Sequence, residues 1–264
     1  MAKPRAVVIS PEAPYPMWGG GALRTASILN YLAGRYSVDL VLFREGRGWD
    51  PSAALPGGLA GRTLVVDLPV HSRGFAARVF RNAGRLLRNV PPLIDRFAGY
   101  EARIEPFLRG HEYELAVIEH FWCAPYEPLL RRCAGRVVLD LHNVESRLHE
   151  RYGAAEGGVH ALAHSRFASA YARLEKWWIP RFDGVLVPSE AEALWPNAVV
   201  YPNALPFTET SLTTRTSRRC AGSPPRSGRG WRRGIRRSNG GLPARTSTPC
   251  GGWSRICPGF TLRE

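Results

Sequence analysis

The chain has 264 residues, 44% of them hydrophobic and eight of them tryptophan, which suits a globular protein with a sizeable core in one large domain or two ordinary ones. No apolar run reaches the roughly 18–20 residues of a membrane span. The opening MAKPRAVVIS is too soon interrupted by Glu12 and prolines to be a signal peptide, so a cytoplasmic location is expected. The formal net charge of +14 points to anionic partners, but its distribution argues against nucleic acid: residues 1–208 hold 24 basic against 20 acidic side chains, and residues 209–264 hold 12 Arg against 2 Glu.

In chain order, AVVIS (6–10) reads as a first buried strand, GALRTASILNYLAGRY (21–36) as a helix, and SVDLVLF (37–43) and RTLVVDLP (62–69) as two more strands. FAARVFRNAGRLLRNV (75–90) is an amphipathic helix. Its aromatic and aliphatic side carries Phe75, Val79, Phe80, Leu86, Leu87 and Val90, and Arg78, Arg81, Arg85 and Arg88 collect opposite. Two readings follow: a helix docked on the sheet with a solvated basic face, or a surface for anionic lipid peripheral to the inner face of a membrane. ELAVIEH (114–120), RVVLDLH (136–142) and DGVLVPS (183–189) are further strands. Residues 160–179 form a helix stopped by Pro180. Short apolar strands alternating with helices predict an α/β fold, a Rossmann-like parallel sheet with helices on both faces.

The pattern stops after YPNALPF (201–207), so the expected division is a domain over 1–207 and a tail over 208–264. The tail has no Lys, Asp, Val or Tyr and is dominated by Arg, Ser, Gly, Pro and Thr. So few apolar residues predict disorder or poor packing over most of 209–255. A natural basic tail, a linker and a frame-shifted translation all produce such composition. The abrupt break where a second domain should begin favours the frame shift.

Four stretches can carry chemistry. Gly19, Gly20 and Gly21 precede the first helix, whose free N–H groups suit an anion. They do not have the spacing of a dinucleotide loop, and Arg24 stands where its last glycine would be. In LDLHNVESRLHERY (139–152), His142, Asn143 and Glu145 follow a strand at its carboxyl end, where parallel sheets bind ligands. His142 can transfer a proton or donate a hydrogen bond, Asn143 can fix a hydroxyl, and the bland reading makes Asn143 and Ser146 helix caps. Glu119 and His120 close another strand, beside Phe121, Trp122 and Tyr126, which either stack on a ligand ring or cover the core. In VPSEAEAL (187–194), Ser189 and Glu192 have capping-box spacing. No metal is expected. His160 and His164 are spaced i, i+4 without a third ligand, and the five cysteines include no two-residue pair.

Together the stretches VVISPEAPYPMWGGGALRTASILNYLA, VVLDLHNVESRLHERY, ARLEKWWIPRFDGVLVPSEAEA and VVYPNALPF resemble the amino-terminal domain of family 4-like glycosyltransferases of the two-Rossmann (GT-B) type, over about residues 5–207. The resemblance implies transfer of a sugar from a nucleotide-sugar donor, with retention and without metal or other cofactor, to a sugar, glycolipid or glycan acceptor held by this domain. It places the glycine loop along the cleft between domains, near the donor phosphates. His142 falls on the cleft-facing histidine that touches the transferred sugar or acceptor, and Asn203 where the chain crosses into the second domain. The family's donor-binding glutamate pair is missing, because Glu209 and Glu264 are the only acids after Phe207. The expectation is an acceptor-binding half, inactive alone. A Rossmann oxidoreductase and a basic-tailed nucleic-acid or membrane-surface module are the alternatives.

Overall fold

The structure is a computed structural model and describes residues 3–46, 48–71 and 74–203. The side chain of Arg78 and the whole stretch 204–264, with the disorder or poor packing expected over most of 209–255, lie outside the described residues.

The first strand is β1 (Arg5–Ser10), followed by helix α1 (Gly20–Arg35), β2 (Ser37–Glu45) and β3 (Arg62–Leu68). Then come α2 (Phe75–Arg88), α3 (Pro92–Phe97), α4 (Glu101–Leu108), β4 (Tyr113–Glu119), α5 (Glu127–Arg131) and β5 (Ala134–Asp140). The remainder is α6 (Glu145–Ala155), α7 (Gly158–Trp178), β6 (Gly184–Val187) and β7 (Ala198–Val200). All seven strands are parallel, in the order β3-β2-β1-β4-β5-β6-β7. The six expected strands are present. β7 is an addition of three residues, and α3, α4 and α5 are too short for a helical period to show in the sequence.

The period of two along each strand divides the core. Ala6 and Val8 of β1, Leu40 and Leu42 of β2 and Val117 of β4 face α1, where Ile28, Leu29 and Leu32 are buried. Val7, Ile9, Val41, Ala116 and Ile118 face the other way, onto Ile94, Phe97, Ile104, Tyr126 and Tyr171. Phe121 and Tyr126 are therefore core residues, and Tyr126 Oη donates to the Phe97 carbonyl. At the amino ends of the strands, the buried Asp39 carboxylate accepts from Arg5 (2.7 Å), Arg62 (2.5 Å) and Tyr113 (2.7 Å), tying four strands together.

Helix α2 is the other way round from a docked amphipathic helix. Phe75, Phe80 and Leu87 are 75%, 78% and 88% exposed, whereas Arg85 is buried and bonds Asp95 of α3 at 2.9 Å. Arg88 also reaches Asp95, at 3.1 Å, and Arg81 is half-buried. Of the described side chains on the basic side, Arg85 is thus buried and Arg88 remains 60% exposed. Neither sequence-level cap forms: Ser189 starts only a short 3-10 turn and makes no side-chain cap bond, and α6 is entered from Val144. The Ser146 amide is satisfied instead by Glu175 of α7 (2.9 Å), which also accepts from the Ser146 hydroxyl (2.6 Å).

These orientations separate two truncations. Ile28→Ala is expected to cost about 2–5 kcal/mol in chemical denaturation, and Phe80→Ala less than about 0.5 kcal/mol. A loss of several kcal/mol for Phe80→Ala contradicts the outward orientation of α2.

Candidate active site at the carboxyl ends of the strands

Strand order reverses between β1 and β4, and open parallel sheets bind ligands at the carboxyl ends on either side of such a reversal. Nine residues, Pro11–Gly19, leave the end of β1 and enter α1 with Gly19 as its N-cap. Beside them β4 ends at Glu119 and β5 at Asp140, and these two acids are register partners. Alternation puts Glu119 on the side of Val117 and Asp140 on the side of Val138, both toward α1. Two carboxylates at neighbouring strand ends therefore meet the first turns of one helix.

Arg24 and Thr25 of α1 receive them. Arg24 donates to both oxygens of Asp140 (2.5–3.0 Å), and further to the Tyr201 carbonyl (2.6 Å) and Asn203 Oδ1 (2.8 Å). Thr25 Oγ1 donates to Glu119 Oε2 at 3.1 Å. His142, two residues beyond β5, places Nε2 3.1 Å from Glu119 Oε2 and 3.2 Å from Asp140 Oδ2. Both neighbours are carboxylates, so Nε2 carries a proton and Nδ1 is left facing the glycine loop. A Cβ on Gly21 would lie 3.4 Å from His142 Nδ1 and 3.0 Å from Glu12 Oε2, whereas one on Gly19 or Gly20 would meet nothing within 4 Å among the described residues. Only Gly21 of the triplet is required by a close approach.

Burial opposes the His142 imidazolium, but its hydrogen bonds and charge interactions with Asp140 and Glu119 outweigh that and raise its pKa to about 9. Burial and the Asp140 charge push Glu119 up to about 7, against His142 and Arg24. Asp140 is buried too, yet Arg24 and His142 hold it well below the usual carboxylate range. His120 stacks between His142 (3.6 Å between ring centroids) and Trp122 (4.2 Å), with a backbone φ of +63°. That left-handed conformation is rare outside glycine and holds the stack in place. Burial and then His142 drive the His120 pKa well below its ordinary value. Glu119 Oε1 and His120 Nε2 are buried without a hydrogen-bond partner among the described residues.

The site residues read from sequence are thus largely brought together. His142, His120 and Glu119 form one cluster, and Gly21 closes over it. Asn143 is exposed at the rim. Glu145 is set behind the stack, where it accepts from Trp122 Nε1 at 2.9 Å, and burial raises its pKa to about 7. His164 pairs with His149 of α6 (Nδ1 to Nδ1 2.9 Å), and His160 is exposed. Asp140 and Arg24 were missed as members of the site. The signal was present: Asp140 interrupts an apolar run, and Arg24 shares the α1 face of Ile28 and Leu32 at i, i+4, i+8. A charge on each buried face demands an opposite partner.

Glu119, Asp140 and His142 also bring one ligand atom each within 4.8 Å of one another. The donor set does not fit a cation. The Arg24 guanidinium occupies both Asp140 oxygens, and the His142 Nε2 proton stands between the acids.

No family model matches the chain, and no curated protein does. Among solved structures, sucrose-phosphate synthase from Thermosynechococcus elongatus is similar with a TM-score of 0.51 and 14% identity, over 76% of this chain and 48% of that one. A UDP-glucosyltransferase from Polygonum tinctorium is similar at 0.42 and 17%, over 84% of this chain and 58% of that one. UGT2 of Phytolacca americana, complexed with UDP-2-fluoro-glucose and pterostilbene, is similar at 0.45 and 14%, over 83% and 57%. The chain spans about half the length of these structures, and the likeness to the synthase is one of fold.

The raised His142 pKa fixes the sign of a pH effect. Its stabilising contribution is complete below the ordinary histidine pKa and is lost as pH rises through about 9. The urea midpoint is expected to fall above about pH 7, with His142 accounting for on the order of 2 kcal/mol. His142→Gln is expected to flatten that alkaline limb. An equally steep limb in the variant removes His142 as its cause.

Proposed function

We propose that residues 1–207 are the acceptor-binding domain of a glycosyltransferase acting with a nucleotide-sugar donor, and that the 264 residues by themselves bind an acceptor sugar without turning over a donor. The reading is carried by one observation: a buried histidine held by two acids lies directly under the glycine loop, at the reversal of strand order. Such a site offers an Nδ1–H donor from His142, an open Glu119 oxygen and the amides opening α1, which together suit a polyhydroxylated ligand. In this reading His142 contacts the transferred sugar or the acceptor, Asn143 supplies a rim hydrogen bond, and Gly19 to Gly21 form one lip of the cleft. Glu119 and His120 hold the histidine, and Glu145 supports the stack through Trp122. The nine-residue loop after β1 lacks the tight turn that an oxidoreductase reading needs. Location in the cytoplasm goes with this proposal. No helix among the described residues is long and apolar enough to cross a membrane.

The test is saturation-transfer NMR with a panel of free monosaccharides, alongside a turnover assay with UDP-glucose. Monosaccharide binding is expected to weaken at least about tenfold in His142→Ala and to change little in Ser189→Ala. No sugar release from UDP-glucose is expected. Binding that His142→Ala leaves intact contradicts the assigned site, and transfer by this chain contradicts its incompleteness.

The outward face of α2 supports a second role, peripheral contact with an anionic membrane. Phe75, Val79, Phe80 and Leu87 are presented to solvent on a chain of net charge +14. Because Arg85 is spent on Asp95, insertion of the apolar side chains carries this contact, with Arg81 and Arg88 at its border and Arg78 assigned from sequence alone. Flotation with phosphatidylglycerol vesicles is expected to drop at least about tenfold in the Phe75→Ser, Phe80→Ser double variant. Equal flotation of variant and parent contradicts it.

A further inference from the structure

We propose that Arg24 is a positioning residue for His142, and that it links this histidine to the backbone where the chain leaves the sheet at Tyr201–Asn203. The inference deepens the proposed function and rests on His142 being the polar group of that site.

The geometry leaves Arg24 no other role of the same reach. Its side chain is 2% exposed, and its fork is divided between two tasks. Nε and Nη2 hold Asp140, whose Oδ2 is the second neighbour of His142 Nε2. Nη1 holds the Tyr201 carbonyl and Asn203 Oδ1, at the end of the described chain beyond β7. Tyr201 Oη is in turn 3.2 Å from Ser27 Oγ of α1, and the Arg24 guanidinium carbon lies 5.1 Å from the Tyr201 ring centroid. A shift of the segment 201–203 therefore moves the guanidinium, and with it the charge that neutralises Asp140. His142 then experiences Glu119 together with an Asp140 whose charge is offset to a greater or lesser degree. Lysine cannot replace this connection in full, because a single ammonium lacks the planar fork that reaches both sides at once.

The charged and titratable groups around His142 are few. Glu119 and His120 approach from β4, Asp140 from β5, Arg24 from α1, Glu145 from α6 and Glu12 from the loop before α1. Removing Arg24 takes away the cation and leaves a second uncompensated carboxylate beside the imidazolium. That stabilises the protonated ring, so the His142 pKa moves up. A purely structural role gives the opposite sign. If loss of Arg24 only loosened the fold, water would reach His142 and its pKa would fall toward the ordinary histidine value.

The experiment is a histidine-selective NMR pH titration of the free 264-residue protein, in which the His142 signal is identified by its loss in His142→Gln. Arg24→Met is expected to raise the His142 pKa by about one pH unit, and Arg24→Lys to restore it most of the way. Asn203→Ala, which removes one partner of the guanidinium, is expected to shift it upward by a smaller amount. A fall in Arg24→Met, or no change, overturns the positioning role, and an unchanged value in Asn203→Ala overturns the link to the end of the sheet. Should Arg24→Met fail to fold, Arg24→Lys and Asn203→Ala decide, since both keep a cation beside Asp140: an upward shift from the parent value supports the proposal, and parent-like curves in both variants refute it. No sugar is present in the titration, so its failure leaves the sugar-binding result standing, and a protein that binds no sugar can still titrate as stated.

Discussion

The ion pair between Arg24 and Asp140 is the interaction on which the carboxyl end of this fold depends. Both side chains are essentially out of water, and neither charge is tolerable there alone. Removing one partner of such a pair costs roughly 3–5 kcal/mol because the other is stranded. The pair fixes the start of α1 against the ends of β4 and β5, so it also fixes where the glycine loop must pass. Arg24 holds Asp140 ionised while offsetting part of its charge, and His142 holds its proton against Asp140 and Glu119 in a buried place. The remaining acid, Glu119, is then the adjustable member, with its pKa pushed to about 7 and one oxygen without a partner among the described residues.

A second carboxylate–arginine cluster lies at the amino ends of the strands and has different consequences. Asp39 is ringed by Arg5, Arg62 and Tyr113, which all donate to its Oδ2. The two arginines are about one-third exposed (34% and 36%), and water shares their charge. This arrangement staples strands β1 through β4 together. At the carboxyl ends there are two acids in register, one arginine and two stacked histidines, so acceptor capacity remains after the structural bonds are made. Chemistry is available where donors and acceptors do not cancel.

Helix α2 shows what periodicity can and cannot decide. Four arginines on one side and a row of aromatic and aliphatic residues on the other identify a helix without ambiguity. They do not say which side faces inward. Apolar burial favours one orientation, but Asp95 on the next helix offers the buried Arg85 a partly exposed partner, and Arg85 turns to it. The acid that decides this lies ten residues away on another element, beyond the reach of a local pattern.

The sequence alone determined the class of fold and the neighbourhood of the site. Short apolar runs separated by helical patterns specify a parallel sheet, because only strands covered on both faces read as continuous hydrophobic segments. A polar residue at the end of such a run must lie at the strand's carboxyl end, which is why Glu119 and His120, and separately His142, were legible as strand-end residues. The register of β4 against β5 was not legible, and it alone makes Glu119 and Asp140 neighbours. The partner of Asp140, the carbonyl of Tyr201 and the packing of Gly21 on His142 were likewise decided in three dimensions. Arg24 and Asp140 stand 116 residues apart, and the sequence could show that each needed an opposite charge but not that they would meet. That meeting is a property of the folded sheet, since pairing between distant elements depends on strand order and register rather than on any local preference.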